Sequence, residues 1–288
     1  MVGFPPGGGQ DILARLVGQR LSERLGQPFI VENKPGAATI LAIETVVNAA
    51  PDGHSLILVG PPAAINASLY KDLRFNFLRD IAPIASFARQ PFIMVVNPSV
   101  PAKSVREFID YAKANPGKLN MAGNGQGGGP HMAGELFKIA AGVDMVTVQY
   151  RGDAPALTDV MGGQVQVYFS SFTAAVELIK GAKVRPLGVT TAARSDVLPD
   201  VPSIGEFVPG YETSAVFGLG APEATPPDVV DKLNATINEV LGEEKIRARL
   251  ADLGATVLTL SPAKYREILV EETDKWAKVI AAANIKLE

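Results

Sequence analysis

The chain has 288 residues, 47% of them hydrophobic and 20% charged, and a formal net charge of −3. Such a composition excludes a disordered chain, and the length fits one large domain or two medium ones. With no broad basic face, we expect no nucleic-acid partner. The sequence contains no cysteine, which excludes disulfides, thiolate metal sites and a cysteine nucleophile. It also contains no apolar run of 18 residues, so we expect no membrane-spanning segment.

The first part of the chain alternates strand and helix patterns. Apolar residues recur at helical spacing from 12 to 25, and Gly26 is a typical residue just beyond a helix end. Residues 2–4 and 29–32, on either side of this helix, have the pattern of short strands. A helical stretch at 40–47 and a strand at 55–59 follow. This alternation predicts an α/β fold with mainly parallel sheets.

Two later segments follow one plan. Residues 91–98 and 214–222 are each an apolar strand followed by a proline-punctuated loop and a helix. Two such strands about one domain apart are what a chain needs to leave a domain and return to it. They predict a first domain split into 1–98 and 221–288 around an inserted domain at 99–220. The alternative is that both are ordinary strands of one large sheet.

The inserted segment and the tail carry further strand and helix patterns. In the inserted segment, the predicted strands lie at 119–122, within 143–150, at 165–169 and at 185–190, and the predicted helices at 104–114, 132–140 and 155–161. In the tail we predict helices at 228–241 and 262–283, with a strand at 255–258 between them.

Four glycine-rich or polar loops stand where a strand gives way to a helix, at residues 5–11, 123–131, 150–153 and 170–173. A helix N-terminus presents unpaired N–H groups and about half a positive charge, so it can hold an anion without lysine or arginine. Ligands of open α/β sheets bind beyond the carboxyl ends of strands. Several such loops facing one another therefore predict a site for a small anion. The alternative for any single loop is a tight turn that uses glycine for steric reasons.

Three side chains in these loops have simpler interpretations. Asp11 and Asp153 can each cap a helix, and we favour this for Asp153, which stands two residues before Pro155. His131 opens a helix beside a glycine-rich loop, so it either contacts a ligand or caps the helix. His54 is the other histidine, and two histidines argue against a histidine metal site.

Enzyme chemistry has little support in the sequence. Residues 123–128 satisfy G-x-G-x-x-G, but the preceding strand pattern is weak and the next strand ends in Tyr150-Arg151 instead of an acidic residue. No G-x-S-x-G elbow is present for a serine nucleophile. We therefore expect binding without turnover and without a cofactor. A nucleotide-cofactor enzyme is the alternative.

The whole chain resembles the periplasmic solute-binding proteins of tripartite tricarboxylate transporters, the Bug family. Residues 4–11, Phe-Pro-Pro-Gly-Gly-Gly-Gln-Asp, match the first loop of that family. Further matches, in order and at family spacing as far as Lys286, are residues 31–36, 50–53, 115–119, 150–156, 162–165 and 200–203. Each motif alone is unspecific, and their order and spacing together are highly specific.

The resemblance implies a Venus-flytrap fold, in which two α/β lobes are joined by two crossing strands with a ligand cleft between them. It also implies that backbone N–H groups hold a ligand carboxylate. Carried over by position, the contributors from the first lobe would be Phe4, Gly7, Gly8, Gly9, Gln10, Asp11, Pro62 and Ala63. From the second lobe they would be Asn124, Gly125, Gln126, Gly127, His131, Tyr150, Gly152, Ser170 and Ser171.

Three departures from the family pattern bear on the ligand. Residues 37–39 are Ala-Ala-Thr where the family often has Ala-Gly-Gly, which predicts a stiffer loop. Ser170 stands where the family often has an aspartate, so an obvious partner for a ligand ammonium group is missing. Residues 127–129 are glycines where serine is common, which leaves room for a bulkier ligand. We therefore expect a dicarboxylate or an aromatic carboxylate, not an amino acid.

The resemblance implies an extracytoplasmic solute-binding protein that delivers its ligand to the membrane subunits of a tripartite tricarboxylate-type transporter. A ligand sensor that presents its closed form to a signalling partner would share the same pocket and is a further alternative. We expect a periplasmic monomer. The N-terminus has no charged region followed by an apolar one, so we expect a signal peptide to be absent from this chain.

Overall fold

The structure, a computed structural model, describes residues 1–70, 72–283 and 285. Lys286, near which the sequence resemblance ends, lies outside these residues. The strands are β1 Ile57–Val59, β2 Ile81–Val96, β3 Asn120–Gly123, β4 Val146–Gln149, β5 Val167–Ser171, β6 Arg185–Val189, β7 Ser214–Pro222 and β8 Thr256–Val257. The helices are α1 Gly9–Leu25, α2 Ile40–Val47, α3 Pro61–Leu69, α4 Phe77–Asp80, α5 Val105–Ala114, α6 Gly129–Ala141, α7 Asp153–Met161, α8 Phe172–Lys180, α9 Pro227–Gly242, α10 Glu244–Asp252 and α11 Pro262–Ala283.

The chain forms two compact units. Unit 1 contains Met1–Pro6, Gln10–Arg89 and the chain from Val216 onward, and unit 2 contains Gly7–Gly9 and Gln90–Ala215. The divisions after Arg89 and Ala215 lie inside β2 and β7, whereas the sequence prediction placed them at 98 and 220. The segment Gly7–Gly9 belongs to unit 2 although the residues on both sides of it belong to unit 1.

Unit 1 is built on antiparallel strands covered by helices. β1 pairs with β7, with Leu58 opposite Leu219, and β8 pairs with β2, with Ala88 opposite Val257. Its core lies between these strands and α2, α3 and α11, and α11 packs along α3. Tyr265 of α11 is fully buried in this core.

Unit 2 contains a mixed sheet in the order β6-β2-β5-β3-β4. β3 runs parallel to β4 and β5, while β2 runs antiparallel to β5 and β6. Neighbouring residues of a strand point to opposite faces. Tyr168 of β5 packs with Leu157 and Phe172 in one apolar cluster, and Phe169 contacts the rings of Phe137 and Tyr211. Both faces of the sheet are therefore buried at β5, which explains the apolar residues Val167, Tyr168 and Phe169 in succession.

The α/β fold class predicted from the alternating pattern is confirmed, but the prediction of mainly parallel sheets is wrong, because β1, β2 and β5–β8 have antiparallel partners and the parallel pairings between the described strands are those of β3 with β4 and β5. Some local predictions are also wrong. Residues 29–32 form no strand, and next to them Val2 and Asn33 form an isolated bridge. β2 begins at Ile81, ten residues earlier than predicted, because Pro83 and Pro91 obscure its strand pattern. The pattern also does not predict α10, whose sequence is mostly charged.

The loop before α2 keeps a left-handed backbone without glycine. Ala37, Ala38 and Thr39 have φ values of 43°, 44° and 81°. This conformation is strained for a β-branched residue such as Thr39. Asn66 Nδ2 donates a hydrogen bond to Ala38 O at 2.6 Å, which holds the turn. The departure noted in the sequence therefore gives a strained loop in unit 1.

Among the described residues, no helix combines the length and the apolar composition that a bilayer-spanning segment needs.

Candidate functional site

The parallel strands of unit 2 bring three strand-to-helix junctions to one edge of the sheet. β3 leads into α6, β4 into α7 and β5 into α8. Because β3 is parallel to both β4 and β5, the three helices begin at the carboxyl edge of the same sheet. The loops at 123–131, 150–153 and 170–173 therefore lie at one edge of the unit 2 sheet.

These three helices begin without a side-chain cap. The N-cap residues are Gly128 for α6, Gly152 for α7 and Ser171 for α8. None of the three makes a capping hydrogen bond through its side chain in the described part of the chain. First-turn N–H groups that lack a cap are donors for an anion, and the helix dipoles add to the attraction.

The segment Gly7–Gly9 approaches this edge closely at Gly9. A Cβ placed on Gly9 would stand 2.9 Å from Ser171 Cβ and 3.3 Å from Ser171 Oγ. Real side chains do not pack that tightly, so only glycine fits here. Gly9 N also donates a hydrogen bond to Asp153 Oδ2 at 3.3 Å. Gly7, at φ +85°, provides the turn that leads into this contact, and Gly8 is buried.

Asp153 anchors the junction of β5 and α8 and does not cap α7, so the capping interpretation is wrong. It is the first residue of α7, and its side chain accepts hydrogen bonds from Ser171 Oγ at 3.0 Å, from Gly9 N and, at short range, from Tyr168 OH. Burial and the Asp153 charge raise the pKa of Tyr168 well above its usual range. Ser171, the N-cap residue of α8, makes no side-chain cap, and its hydroxyl donates to Asp153.

The junction of β3 and α6 is held by side-chain acceptors for its glycine N–H groups. Gly125 N donates to Gln149 Oε1 at 3.2 Å, and Gly127 N donates to His131 Nδ1 at 3.2 Å. Gly125 and Gly127 have φ values of +112° and +78°, which side-chain-bearing residues rarely adopt. Gly128 N closes the turn onto Gly125 O at 2.9 Å.

His131 supports this loop as a neutral imidazole. Because Nδ1 accepts a hydrogen bond from Gly127 N–H, the ring proton belongs on Nε2, which lies 3.8 Å from Glu135 Oε1. Burial lowers the pKa of His131 to about 4; the Glu135 charge raises it and the Lys138 charge lowers it. His131 therefore brings no positive charge to an anion at neutral pH, and its contact with Gly127 is local.

Asn124 and Gln126 occupy the same loop with different exposure. Asn124 is 5% exposed, and its Oδ1 finds no hydrogen-bond partner among the described residues. A Cβ on Gly128 would stand 2.0 Å from that oxygen, so the Asn124 amide packs directly on the N-cap of α6. Gln126 is half-buried. The unpartnered atom of Asn124 is therefore a buried acceptor, which cannot hydrogen-bond a carboxylate oxygen.

Tyr150, Gly152 and Ser170 complete the predicted residues at this edge. Tyr150 OH donates to Asp159 Oδ2 at 2.8 Å, and burial together with this bond raises the pKa of Tyr150 to about 12. Gly152 takes φ +110° before α7. Ser170 is fully buried, and its hydroxyl donates to Ser171 O at 3.0 Å.

The remaining predicted residues belong to unit 1. Asp11 is buried, accepts from Asn33 Nδ2 at 2.9 Å and pairs with Arg15, so its carboxylate has internal partners. Gln10 lies beside Gly60, where a Cβ would come within 3.0 Å of Gln10 Nε2. Phe4 is buried, and its O accepts from Asn33 Nδ2. Pro62 and Ala63 form the first turn of α3.

The sequence missed the supporting side chains of the edge. Asp153 was assigned to a cap, and Gln149 was not singled out although it ends β4 and receives Gly125 N–H. The partners of Asp153 are 15, 18 and 144 residues away in the chain. A local pattern cannot show such contacts. The sequence signal for the role of Asp153 is its place directly after Gly152, which is already the N-cap residue of α7.

The edge has the chemistry of anion binding. It supplies the first-turn N–H groups of three helices that lack side-chain caps, whereas the hydroxyls of Tyr150, Ser170 and Ser171 donate to internal acceptors. In the described residues, no group of three histidine, cysteine, aspartate or glutamate side chains is placed to hold a metal ion.

The sequence matches a family model over most of its length. Residues 13–285 match the model described as the tripartite tricarboxylate transporter family receptor. Protein BugT of Bordetella pertussis is 32% identical over 291 residues, which cover 100% of this chain and 89% of that protein.

Two solved structures are close in both sequence and fold. R. palustris Rpa4515 with adipate is 35% identical, with a TM-score of 0.96 over 99% of this chain and 96% of the other. MatC (Rpa3494) from Rhodopseudomonas palustris with bound malate is 33% identical, with a TM-score of 0.92 over 97% of each chain. The predicted resemblance is thereby confirmed.

Proposed function

Because the chain belongs to the tripartite tricarboxylate transporter receptor family, we propose that it is a solute-binding protein that captures a small carboxylate and delivers it to the membrane subunits of such a transporter. A dicarboxylate or an aromatic carboxylate is the favoured ligand. The adipate and malate held by the two similar structures are both small dicarboxylates, which supports this choice.

One observation supports carboxylate binding most strongly. Three helices, α6, α7 and α8, begin at one edge of the unit 2 sheet without side-chain caps. A carboxylate oxygen can accept hydrogen bonds from such N–H groups and gains from the helix dipoles. The glycines at this edge leave the backbone open to close approach.

The proposed contacts follow from this arrangement. In unit 2 they are Gly7, Gly8, Gly9, Asn124, Gly125, Gln126, Gly127, His131, Tyr150, Gly152, Ser170 and Ser171. The unit 1 residues Phe4, Gln10, Asp11, Pro62 and Ala63 are proposed on the resemblance alone. His131 takes part through the Gly127 loop that it supports.

The family consists of solute-binding receptors, and a relative of the same fold, BugD, is a periplasmic binding protein. We propose a periplasmic location, a monomeric state and binding without turnover for this chain as well. None of the loops at the edge contains a serine–histidine or cysteine–histidine pair of the kind that activates a nucleophile.

A ligand panel tests the proposal. The melting temperature of the full chain is measured with C4–C8 dicarboxylates, aromatic carboxylates and amino acids, each paired with its neutral amide as a control. A true ligand at a hundredfold excess over Kd stabilises the folded state by about 2.7 kcal/mol, and its amide does not. If no carboxylate raises the melting temperature, or if the amides act equally well, the proposal fails.

A further inference from the structure

Asp153 is a buried carboxylate at the edge where the ligand is proposed to bind. It is 6% exposed and lies at the start of α7, whose dipole favours a negative charge. Asp153 therefore places a negative charge at this edge, although Ser170 carries none.

The hydrogen bonds of Asp153 fix the direction of the Ser171 hydroxyl. Gly9 N–H can only donate, so Asp153 Oδ2 must accept from it at 3.3 Å. Ser171 Oγ lies 3.0 Å from the same oxygen and therefore donates its single proton there. With its proton used in this bond, Ser171 Oγ can accept a hydrogen bond from a ligand but cannot donate one.

A ligand group that is hydrogen-bonded to Ser171 Oγ also lies close to the negative charge of Asp153. Such a group stands within about 6 Å of Asp153 Oδ2, given hydrogen bonds of about 2.8 Å. A carboxylate at that point is repelled, whereas a donor is attracted. Asp153 already accepts three hydrogen bonds, which leaves little capacity to pair with a ligand ammonium group. A neutral hydroxyl therefore suits the position best.

Resting on the proposed carboxylate-binding function, we propose that Asp153 is a positioning residue for specificity: it makes Ser171 a hydrogen-bond acceptor, so that the protein prefers a carboxylate with a hydroxyl on the adjacent carbon. Gly9 packs on Ser171 and is held by the same carboxylate. The carboxylate of the ligand lies at the uncapped helix N-termini, and its hydroxyl points to Ser171.

Matched ligands test this preference. Dissociation constants of the full chain are measured by calorimetry for succinate, malate and aspartate, and for phenylacetate and mandelate. Within each set the acids differ in one substituent. The hydroxy acid of a pair binds about tenfold more tightly than its parent, as one added hydrogen bond provides. Aspartate binds no more tightly than malate.

Three variants separate polarity from packing. In Asp153→Ala the Ser171 hydroxyl loses its acceptor, so Oγ can donate to a ligand as well as accept, and the hydroxyl preference falls to about one. Ser171→Ala removes the acceptor and gives the same loss, which keeps the test valid if Asp153→Ala does not fold. Tyr168→Phe keeps the carboxylate and its bond to Ser171, so the preference stays near tenfold although the protein is less stable.

Each other outcome contradicts the inference. Equal affinities within both pairs, binding confined to acids without a hydroxyl, or a preference that survives in both Asp153→Ala and Ser171→Ala would overturn it and leave carboxylate binding intact. Tighter binding of aspartate than of malate would assign the position to an ammonium group. If no carboxylate of the wider panel binds, the proposed function fails with it.

Discussion

Two junctions at the carboxyl edge of unit 2 look alike in sequence and are held by different chemistry. At the junction of β3 and α6, the neutral imidazole of His131 accepts from Gly127 N–H, which is four residues away in the chain. At the junction of β5 and α8, the buried carboxylate of Asp153 accepts from Gly9 N–H, which is 144 residues away. In both cases a buried side chain takes up a glycine N–H group.

The difference decides what each junction contributes. The His131 contact is local and ends when the ring is protonated, so it shapes one loop. The Asp153 contacts join a distant segment, a strand and a helix, and they also set the direction of a hydroxyl group. Removing the Asp153 carboxylate should therefore lower the free energy of unfolding more than breaking the His131 contact.

Removing the Asp153 carboxylate should have the largest effect. In Asp153→Ala, Tyr168 OH and Gly9 N lose their buried acceptor, and the free energy of unfolding should fall by about 3 kcal/mol. Urea denaturation measures this. Asp159→Ala is the matched control, since Asp159 lies on the same helix and its side chain accepts from Tyr150 OH, the side chain's one hydrogen bond within the described residues. An equal loss in both variants would show that Asp153 has no special anchoring role.

Acid should weaken the His131 junction. The folded-state pKa of about 4 lies below the ordinary value of 6.5, so between these values the unfolded chain binds more protons. Stability is therefore fully present above pH 6.5 and is lost as the pH falls, by on the order of 2 kcal/mol at pH 4.5. His131→Gln keeps an acceptor that does not titrate, so the difference between the two proteins isolates this contribution. Parallel pH profiles would contradict it.

Filling the space at Gly9 should disturb the Asp153 junction sterically. Gly9→Ala forces a Cβ against Ser171 Cβ, so one of the two segments must move. We expect the free energy of unfolding to fall by about 1–2 kcal/mol and the ligand Kd to rise about tenfold. Gly142→Ala is the control. Gly142 ends α6 at φ +61° with open space around it, so this variant loses about 1 kcal/mol and keeps its Kd. Equal ligand Kd in both variants would refute close packing at Gly9.

The smallest effect concerns the third junction, between β4 and α7. Tyr150→Phe removes the bond from Tyr150 OH to Asp159, and the partly exposed carboxylate regains solvent. We expect a loss below about 1 kcal/mol in thermal denaturation. If Tyr150→Phe lowered the free energy of unfolding as much as Asp153→Ala, then Asp159, and not Asp153, would be the carboxylate that stabilises this edge most.

Seven of the helices and the loops of the edge could be predicted because their signals are local, whereas no helix was predicted for α3, α4, α8 or α10. Ser104 caps α5 through the bond to Glu107 N, and Gly142 ends α6, as sequence rules require. The carboxyl edge follows from parallel strands, which an alternating pattern predicts.

What the sequence could not provide depends on contacts between distant residues. The role of Asp153 needs Gly9 and Ser171 to meet, and no spacing indicates that. The neutral state of His131 needs its burial, which depends on how α6 packs. The early start of β2 at Ile81 was hidden by Pro83, because proline usually indicates an edge or a non-strand segment.

A crystal structure of the full chain with malate tests the central claim most directly. We predict a ligand carboxylate oxygen at about 3 Å from first-turn N–H groups at the carboxyl edge of unit 2, and the ligand hydroxyl at about 2.8 Å from Ser171 Oγ. Malate bound away from this edge, with its carboxylates paired to lysine or arginine side chains, would contradict the account.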